Sequence, residues 1–355
     1  MTTQETSRDY DDLTPQTVLD ALDAVGFRGD GRVLQLNSYE NRVFQVFLED
    51  GEVVVSKFYR PARWSDEQIL EEHTLAIELF DAEVPVIPPL PLHLRDAPGP
   101  APKAAPKTTP TTALLGTPAT LACQREGGVH RYAVSTRCAG REPELEAPET
   151  LRQIGRFIGR LHAVGDRRPF LHRHVMRPQF DGQKARALLI DGGFLPETAQ
   201  TAWDSVCAAA INHLQAAFST LPNLKTLRLH GDCHLGNVLW RDGGPHVVDL
   251  DDACMGPAVQ DLWMLVSGDW ATMQDQLELL LEGYRQFHDF DRRELRLIEP
   301  LRTLRMIRHS AWLAERWSDP AFPRSFPHFG TEAYWSQQVA QLREQISAMT
   351  EIAAQ

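Results

Sequence analysis

The stretch Leu229-His230-Gly231-Asp232-Cys233-His234-Leu235-Gly236-Asn237, continued by Val247-Val248-Asp249-Leu250-Asp251-Asp252, concentrates oxygen donors in a short span. Asn237 and Asp249 suit a hard cation such as Mg²⁺, which is held by one or two protein oxygens and the phosphates of a substrate. Asp232 is then left to accept a proton from an attacking hydroxyl. Val238-Leu239-Trp240 reads as a short strand, Asp242-Gly243-Gly244 as a turn and His246-Val247-Val248 as a returning strand. Folding this hairpin about Gly243 sets Asn237 opposite Asp249, so donors distant in sequence meet at one end of a ribbon. A chance D-x-x-x-x-N is common, whereas a hairpin returning an aspartate to the asparagine is not. His230 reads as a structural hydrogen-bonding residue. Cys233 and His234 lack the Cys-x-x-Cys company of a zinc site. Asp251 and Asp252 take secondary places, one beside the metal and one as a cap. Asp261, after Gly256-Pro257, is expected to bind the backbone of the loop that carries Asp232.

Two further groups belong with that loop. Val53-Val54-Val55-Ser56-Lys57-Phe58-Tyr59 is a strand, and alternation puts Lys57 on the face of Val53 and Val55. A lysine there needs an anionic partner. Ser65-Asp66-Glu67-Gln68 is a capping box, and the helix it opens carries Ile69, His73, Ala76, Ile77 and Phe80 on one stripe, with Glu72 at its border. Glu72 is the preferred partner over Glu71, because Leu75 and Leu79 follow it at inward spacing. Such a lysine, held by a helix carboxylate, grips phosphate oxygens. The polar turn Asn37-Ser38-Tyr39-Glu40-Asn41-Arg42 lies between two strands. Its N–H groups and the Ser38 hydroxyl can cover phosphates, although it holds no G-x-G-x-x-G.

These residues sit in a chain of 355 residues, enough for two domains. Its 36 basic and 48 acidic residues give a net charge of −12, which argues against nucleic acid as a partner. The five cysteines are scattered, pointing to a reduced, cytoplasmic compartment. No signal-peptide core and no membrane-length apolar run is present, so no membrane partner is expected. Residues 1–13 read as a loose start and Thr14 to Val25 as a helix begun by Thr14-Pro15. The Pro/Ala-rich stretch 95–117 reads as an extended insertion. Strands follow at Leu121 to Gln124 and Arg131 to Ser135, joined at Gly127-Gly128. Beyond Gly140, helices are expected over Thr150 to Val164, 197–220, Gln260 to Leu265, 274–290, 293–317 and 331–350. The aromatic residues Trp312, Trp317, Phe322, Phe326, Phe329, Tyr334 and Trp335 read as core packing. The class is α+β, strand-rich first and helix-rich after a boundary near Ser135–Arg141.

The chain resembles the bacterial stress response kinase A family, a branch of the aminoglycoside-phosphotransferase-like and choline-kinase-like fold. The matching stretches are Leu36 to Val43, Lys57-Phe58-Tyr59-Arg60-Pro61, Gln68 to His73, Leu229 to His234, Val248 to Ala253, Gly256 to Met264 and Asp319-Pro320-Ala321-Phe322-Pro323. The resemblance implies a two-lobed protein-kinase-like fold, with an antiparallel-sheet ATP-binding lobe over residues 1–137 and a mainly helical catalytic lobe over 138–355. It implies an ATP- and Mg²⁺-dependent kinase, cytoplasmic and monomeric, acting on serine or threonine of a protein. Carried over, Asp232 is the proton acceptor, Asn237 and Asp249 are magnesium ligands, Ser38 contacts ATP and Lys57 meets the α- and β-phosphates. The 95–117 insertion and Ser56 depart from the family pattern without touching this chemistry. A small-molecule kinase of the same fold is the alternative; a nucleotide-binding scaffold and a metallophosphoesterase fit the residues less well.

Overall fold

A computed structural model describes residues 10–95, 111–126, 128–268 and 270–353. Most of the expected loose start, the stretch 96–110 and Gly127 of the expected turn lie outside the described residues. The chain divides into two compact units, Met1–Glu142 with Val238–Asp251, and Pro143–Asn237 with Asp252–Gln355.

The first unit opens with α1 (Pro15–Ala24), whose N-cap Thr14 accepts from the Thr17 N–H at 3.1 Å. Strands β1 (Gly29–Leu36), β2 (Arg42–Leu48) and β3 (Val53–Tyr59) precede α2 (Asp66–Asp81), and β4 (Thr111–Leu115), β5 (Leu121–Glu126) and β6 (Gly128–Thr136) follow it. They form one antiparallel sheet in the order β1-β2-β3-β6-β5-β4. Thr111–Leu115, expected to be part of an extended insertion, instead forms the edge strand β4: threonine and leucine suit a half-covered pleat and pair along β5.

In β3 Val53, Val55 and Lys57 share one half-buried face, as expected, while Val54, Ser56 and Phe58 are buried on the other, Val54 and Phe58 in one cluster with Phe44, Val46 and Tyr132. One correction concerns a helix face. In α2 the inward residues are Ile69, Glu72, His73, Leu75, Ala76 and Leu79, while Phe80 points out. The stripe is rotated because Glu72 and His73 have polar partners inside: Tyr59 Oη lies 2.8 Å from His73 Nε2, and His73 Nδ1 lies 2.8 Å from Thr120 Oγ1. The capping box is present, with Gln68 N–H donating to Ser65 Oγ and Ser65 N–H to Gln68 Oε1.

The second unit holds α3 (Pro148–Gly165), α4 (Pro178–Asp191), α5 (Glu197–Ser219) and the short strand β7 (Leu227–Leu229). The ribbon β8 (Val238–Arg241) and β9 (Gly244–Val247) then belongs to the first unit. Strand β10 (Cys254–Gly256), α6 (Gln260–Trp263), α7 (Trp270–Tyr284), α8 (Ile298–Glu315), α9 (Ala321–Ser325) and α10 (Glu332–Ala353) complete the second. Helix α3 crosses α7 closely, since a Cβ added at Gly155 would stand 2.0 Å from the Leu280 carbonyl oxygen. Helix α4 is unforeseen in the sequence, because its inward face is Asp181, Gly182, Ala185 and Leu189, too small and polar to mark an apolar stripe. Phe322, Phe329 and Trp335 of the aromatic run are core, as expected, beside Trp203, with Trp312, Trp317, Phe326 and Tyr334 packed against them.

One buried carboxyl sets a pH dependence. Burial, with help from the Asp291 charge, pushes Glu294 from an ordinary 4.5 up to about 7, although it accepts from the Val259 N–H at 3.0 Å. The folded chain holds this proton more tightly than the unfolded one. The stability it contributes is therefore full below about 4.5, is lost as pH rises to about 7 and stays lost above. Glu294→Gln keeps an acceptor for Val259 and removes the charge. It is expected to raise the melting temperature at pH 8, by at most about 3 kcal/mol of stability, and to change little at pH 4.5; equal shifts at both pH values would contradict the assignment.

Candidate active site

In the first unit the site is built around Lys57. Its ammonium lies 2.9 Å from Asp251 Oδ1, 3.2 Å from Glu72 Oε1 and 3.3 Å from Asp249 Oδ1, and 4.8 Å from the Tyr59 ring centroid. Burial by itself pulls the Lys57 pKa down, but Asp251, Glu72, Tyr59 and Asp249 together hold it well above its ordinary value. The expected pair of Lys57 with Glu72 is thus formed, and Glu72 is buried. Asp251 does more than a secondary residue: it is buried and also ion-paired with Arg63, with the Trp64 indole N–H 3.5 Å away.

Ser38 lies half-buried in the turn between β1 and β2. That turn is braced from the end of β3. Arg60 donates to the Glu40 and Tyr39 carbonyl oxygens at 2.9 and 3.1 Å, and the Arg60 N–H donates to Asn41 Oδ1 at 3.2 Å. The Arg60 guanidinium also sits 3.2 Å from Glu40 Oε1.

Asp249 follows the β8–β9 ribbon and has φ +62°, a left-handed backbone that aspartate tolerates better than most residues; its side chain is 52 % exposed. The ribbon corrects the expected register. Arg241 pairs with Gly244 and Val238 with Val247 around a two-residue turn, Asp242 and Gly243, both at positive φ. The midpoint falls between those two residues instead of on Gly243. The pairing that set Asn237 against Asp249 is therefore out by one, and Asp249 lies beyond the ladder.

In the second unit Asp232 sits on a loop held from beneath. Asp261 is fully buried: Oδ2 accepts from the His230 N–H at 2.7 Å and Oδ1 from the Gly231 N–H at 2.9 Å. This is the role expected of Asp261. Burial alone would raise its carboxyl; the His162 hydrogen bond and charge, then His230 and the Gly231 N–H, hold it below the ordinary range. His162 Nε2 lies 3.1 Å from Asp261, and its Nδ1 lies 2.8 Å from Tyr284 Oη. Burial keeps the His162 pKa low. Gly231 has φ +86°, and a Cβ there would stand 2.1 Å from the Asp252 carbonyl oxygen. His230 is buried and its Nδ1 accepts from the Asp232 N–H at 3.3 Å, the structural part expected of it.

The Asn237 amide donates to the Asp232 carbonyl oxygen at 2.9 Å, which fixes the amide plane and turns its oxygen away from that bond. The Asp232 carboxylate is 25 % exposed, ion-paired through Oδ1 with Arg305 on α8, and 3.5 Å from His234 Nε2 through Oδ2. Among the described residues no cluster of three or more His, Cys, Asp or Glu side chains is arranged for a metal. Asn237 in the second unit and Asp249 in the first each offer a hard oxygen donor, the type that Mg²⁺ takes together with water and phosphate.

Arg63, Arg305 and His162 were not foreseen. Arg305 is one arginine among several on α8. His162 carried a readable signal, standing four residues after Ile158 on the buried stripe of α3.

The chain is a phosphotransferase with the two-lobed kinase fold: the family profile described as the phosphotransferase enzyme family (APH) matches residues 32–298. Stress response kinase A of Escherichia coli (strain K12) is 41% identical over 346 residues, spanning 96% of this chain and 95% of that protein. Serine/threonine protein kinase RdoA of Salmonella typhimurium (strain LT2) is 40% identical over 342 residues, with the same coverage. The chain belongs to the stress response kinase A family. Among solved structures, an amicoumacin kinase, hAmiN, in complex with AMP-PNP, Ca²⁺ and Ami shares the fold at TM-score 0.71 and 19% identity, covering 99% of this chain and 97% of its own. A microcompartment-associated aminopropanol kinase does so at 0.65 and 14%, covering 96% and 98%.

Proposed function

We propose that the protein transfers the γ-phosphate of ATP, with Mg²⁺, to the hydroxyl of a serine or threonine in another protein. The observation that carries the transfer chemistry is Lys57, a half-buried strand lysine held 3.2 Å from a helix glutamate. That arrangement presents a fixed cation to phosphate oxygens. A protein acceptor is supported by the relation, over 96% of the chain, to a relative named as a serine/threonine protein kinase. Lys57 grips the α- and β-phosphates and Ser38 contacts the nucleotide. Asn237 and Asp249 hold Mg²⁺, which supplies charge neutralisation at the phosphates. Asp232 orients the acceptor hydroxyl and takes its proton. The hydroxyl oxygen bonds to the γ-phosphorus, the bond from that phosphorus to the β–γ bridging oxygen breaks, and ADP leaves.

The cysteines, none of them paired, support a reducing, cytoplasmic setting. Among the described residues no helix is long and apolar enough to cross a membrane.

Transfer from γ-labelled ATP to proteins and to a panel of small alcohols tests the proposal; label passing only to small alcohols would replace the protein acceptor, and label passing to neither would remove the reading. Asp249→Ala is expected to raise the Mg²⁺ concentration for half-maximal transfer by at least roughly 10- to 100-fold, the cost of losing only a group that supports a metal ligand. An unchanged Mg²⁺ requirement would take Asp249 out of the metal site.

A further inference from the structure

The carboxylate assigned to accept the hydroxyl proton already has a cationic partner. Asp232 Oδ1 is caught by Arg305, whose side chain is 44 % exposed and meets Asp232 through a single guanidinium nitrogen, Nη1. Nη1 also lies 3.8 Å from Met264 Sδ. Arg305 stands on the outward stripe of α8 with His309, four residues on. The His309 and Trp312 ring centroids are 5.5 Å apart. Burial, then the Arg305 charge, hold His309 below its ordinary pKa, so the stripe beside Asp232 carries its positive charge on arginine. Arg308, one turn further, is exposed as well. A chain of net charge −12 therefore places a cation on its acceptor carboxylate, against its overall balance.

A kinase for cationic alcohols needs a net negative acceptor pocket, because like charges juxtaposed in a site discriminate against the ligand. Here the carboxylate charge is already offset. We propose that Arg305 is a specificity-determining residue that selects acceptor hydroxyls flanked by an anionic group, serine or threonine beside acidic side chains. The anionic flank takes over the guanidinium through the fork geometry that suits carboxylates. Asp232 Oδ1 is then released to the hydroxyl, so recognition and unmasking are one event. The inference rests on Asp232 being the proton acceptor.

The test compares kcat/KM for synthetic peptides with one central serine flanked by glutamate, alanine or lysine, with glycerate, glycerol and choline as small-molecule arms. Wild type is expected to favour the glutamate flank over the lysine flank on the order of tenfold or more, with the gap narrowing as salt rises. Arg305→Ala should erase the preference and Arg305→Glu should invert it, neither lowering the melting temperature, because the side chain is half-exposed. A purely structural arginine would change all acceptors alike. Preference for glycerate over every peptide would keep the anionic rule and make the source a small molecule. Transfer that ignores flank charge, or that Arg305→Glu leaves in the same order, overturns this inference while leaving the transfer reading intact. No transfer to any acceptor overturns both.

Discussion

Asp232→Asn is expected to reduce phosphoryl transfer by about 10²- to 10⁴-fold, the range a positioned general base contributes, with nucleotide affinity nearly unchanged. Asparagine keeps the size of the side chain and loses the basic oxygen. The loop does not depend on that carboxylate for its shape. Its backbone is fixed by the Asn237 amide on the Asp232 carbonyl, by His230 on the Asp232 N–H and by Asp261 beneath His230 and Gly231. Arg305, left without its partner, is solvated enough to bear the change. The loss should therefore fall on kcat, read under saturating ATP, with the melting temperature holding. Rates equal to wild type would remove Asp232 from proton transfer.

Asp261→Asn is expected to be strongly destabilising in the second unit, costing about 1–3 kcal/mol for each buried group left without its partner. One amide oxygen cannot accept from both the His230 and Gly231 N–H groups, which stand on different carboxylate oxygens. The replacing NH₂ faces donors where an acceptor is required, and His162 loses its anionic partner in a fully buried position. A fall in melting temperature of roughly 10 °C follows at about 2–4 °C per kcal/mol, seen by scanning calorimetry. Transfer should fall too, since Asp232 is aimed by this backbone. If Asp261→Asn is too unstable to purify, Tyr284→Phe provides the graded version. It takes the hydroxyl 2.8 Å from His162 Nδ1 out of the same chain of contacts and should give a smaller loss in the same direction. A wild-type melting temperature in Asp261→Asn would refute the account.

Much of this site was legible because its residues break local rules. Lys57 alternates with valines, and Asp261 follows a Gly-Pro step with no surface role to play, so each demanded a partner. The Ser65 capping box was readable because both halves lie in one turn. Other features were hidden for physical reasons. The ribbon register turned on whether the midpoint lay on Gly243 or before it, and Asp-Gly-Gly allows either until Asp242 adopts positive φ. The α2 stripe was misrotated because Phe80 read as inward and Glu72 only as its border, while Tyr59 and Thr120, distant in sequence, satisfy Glu72 and His73 inside. Arg63 and Arg305 owe their places to tertiary contact, and nothing in their neighbourhoods separates them from other surface arginines.

The ribbon joins the first unit although it is encoded within the second. Trp240 exchanges backbone bonds with Arg141, and the Val247 N–H donates to the Pro85 carbonyl oxygen at 3.0 Å. On the ribosome, the first unit therefore cannot finish when Glu142 is made. It waits for Asp251, roughly 5–20 s later at ordinary elongation rates, and through that interval Lys57 and Arg63 lack the carboxylates of Asp249 and Asp251. The nascent chain thus cannot assemble the charges around Lys57 before the first segment of the helical unit, Pro143–Asn237, has been synthesised.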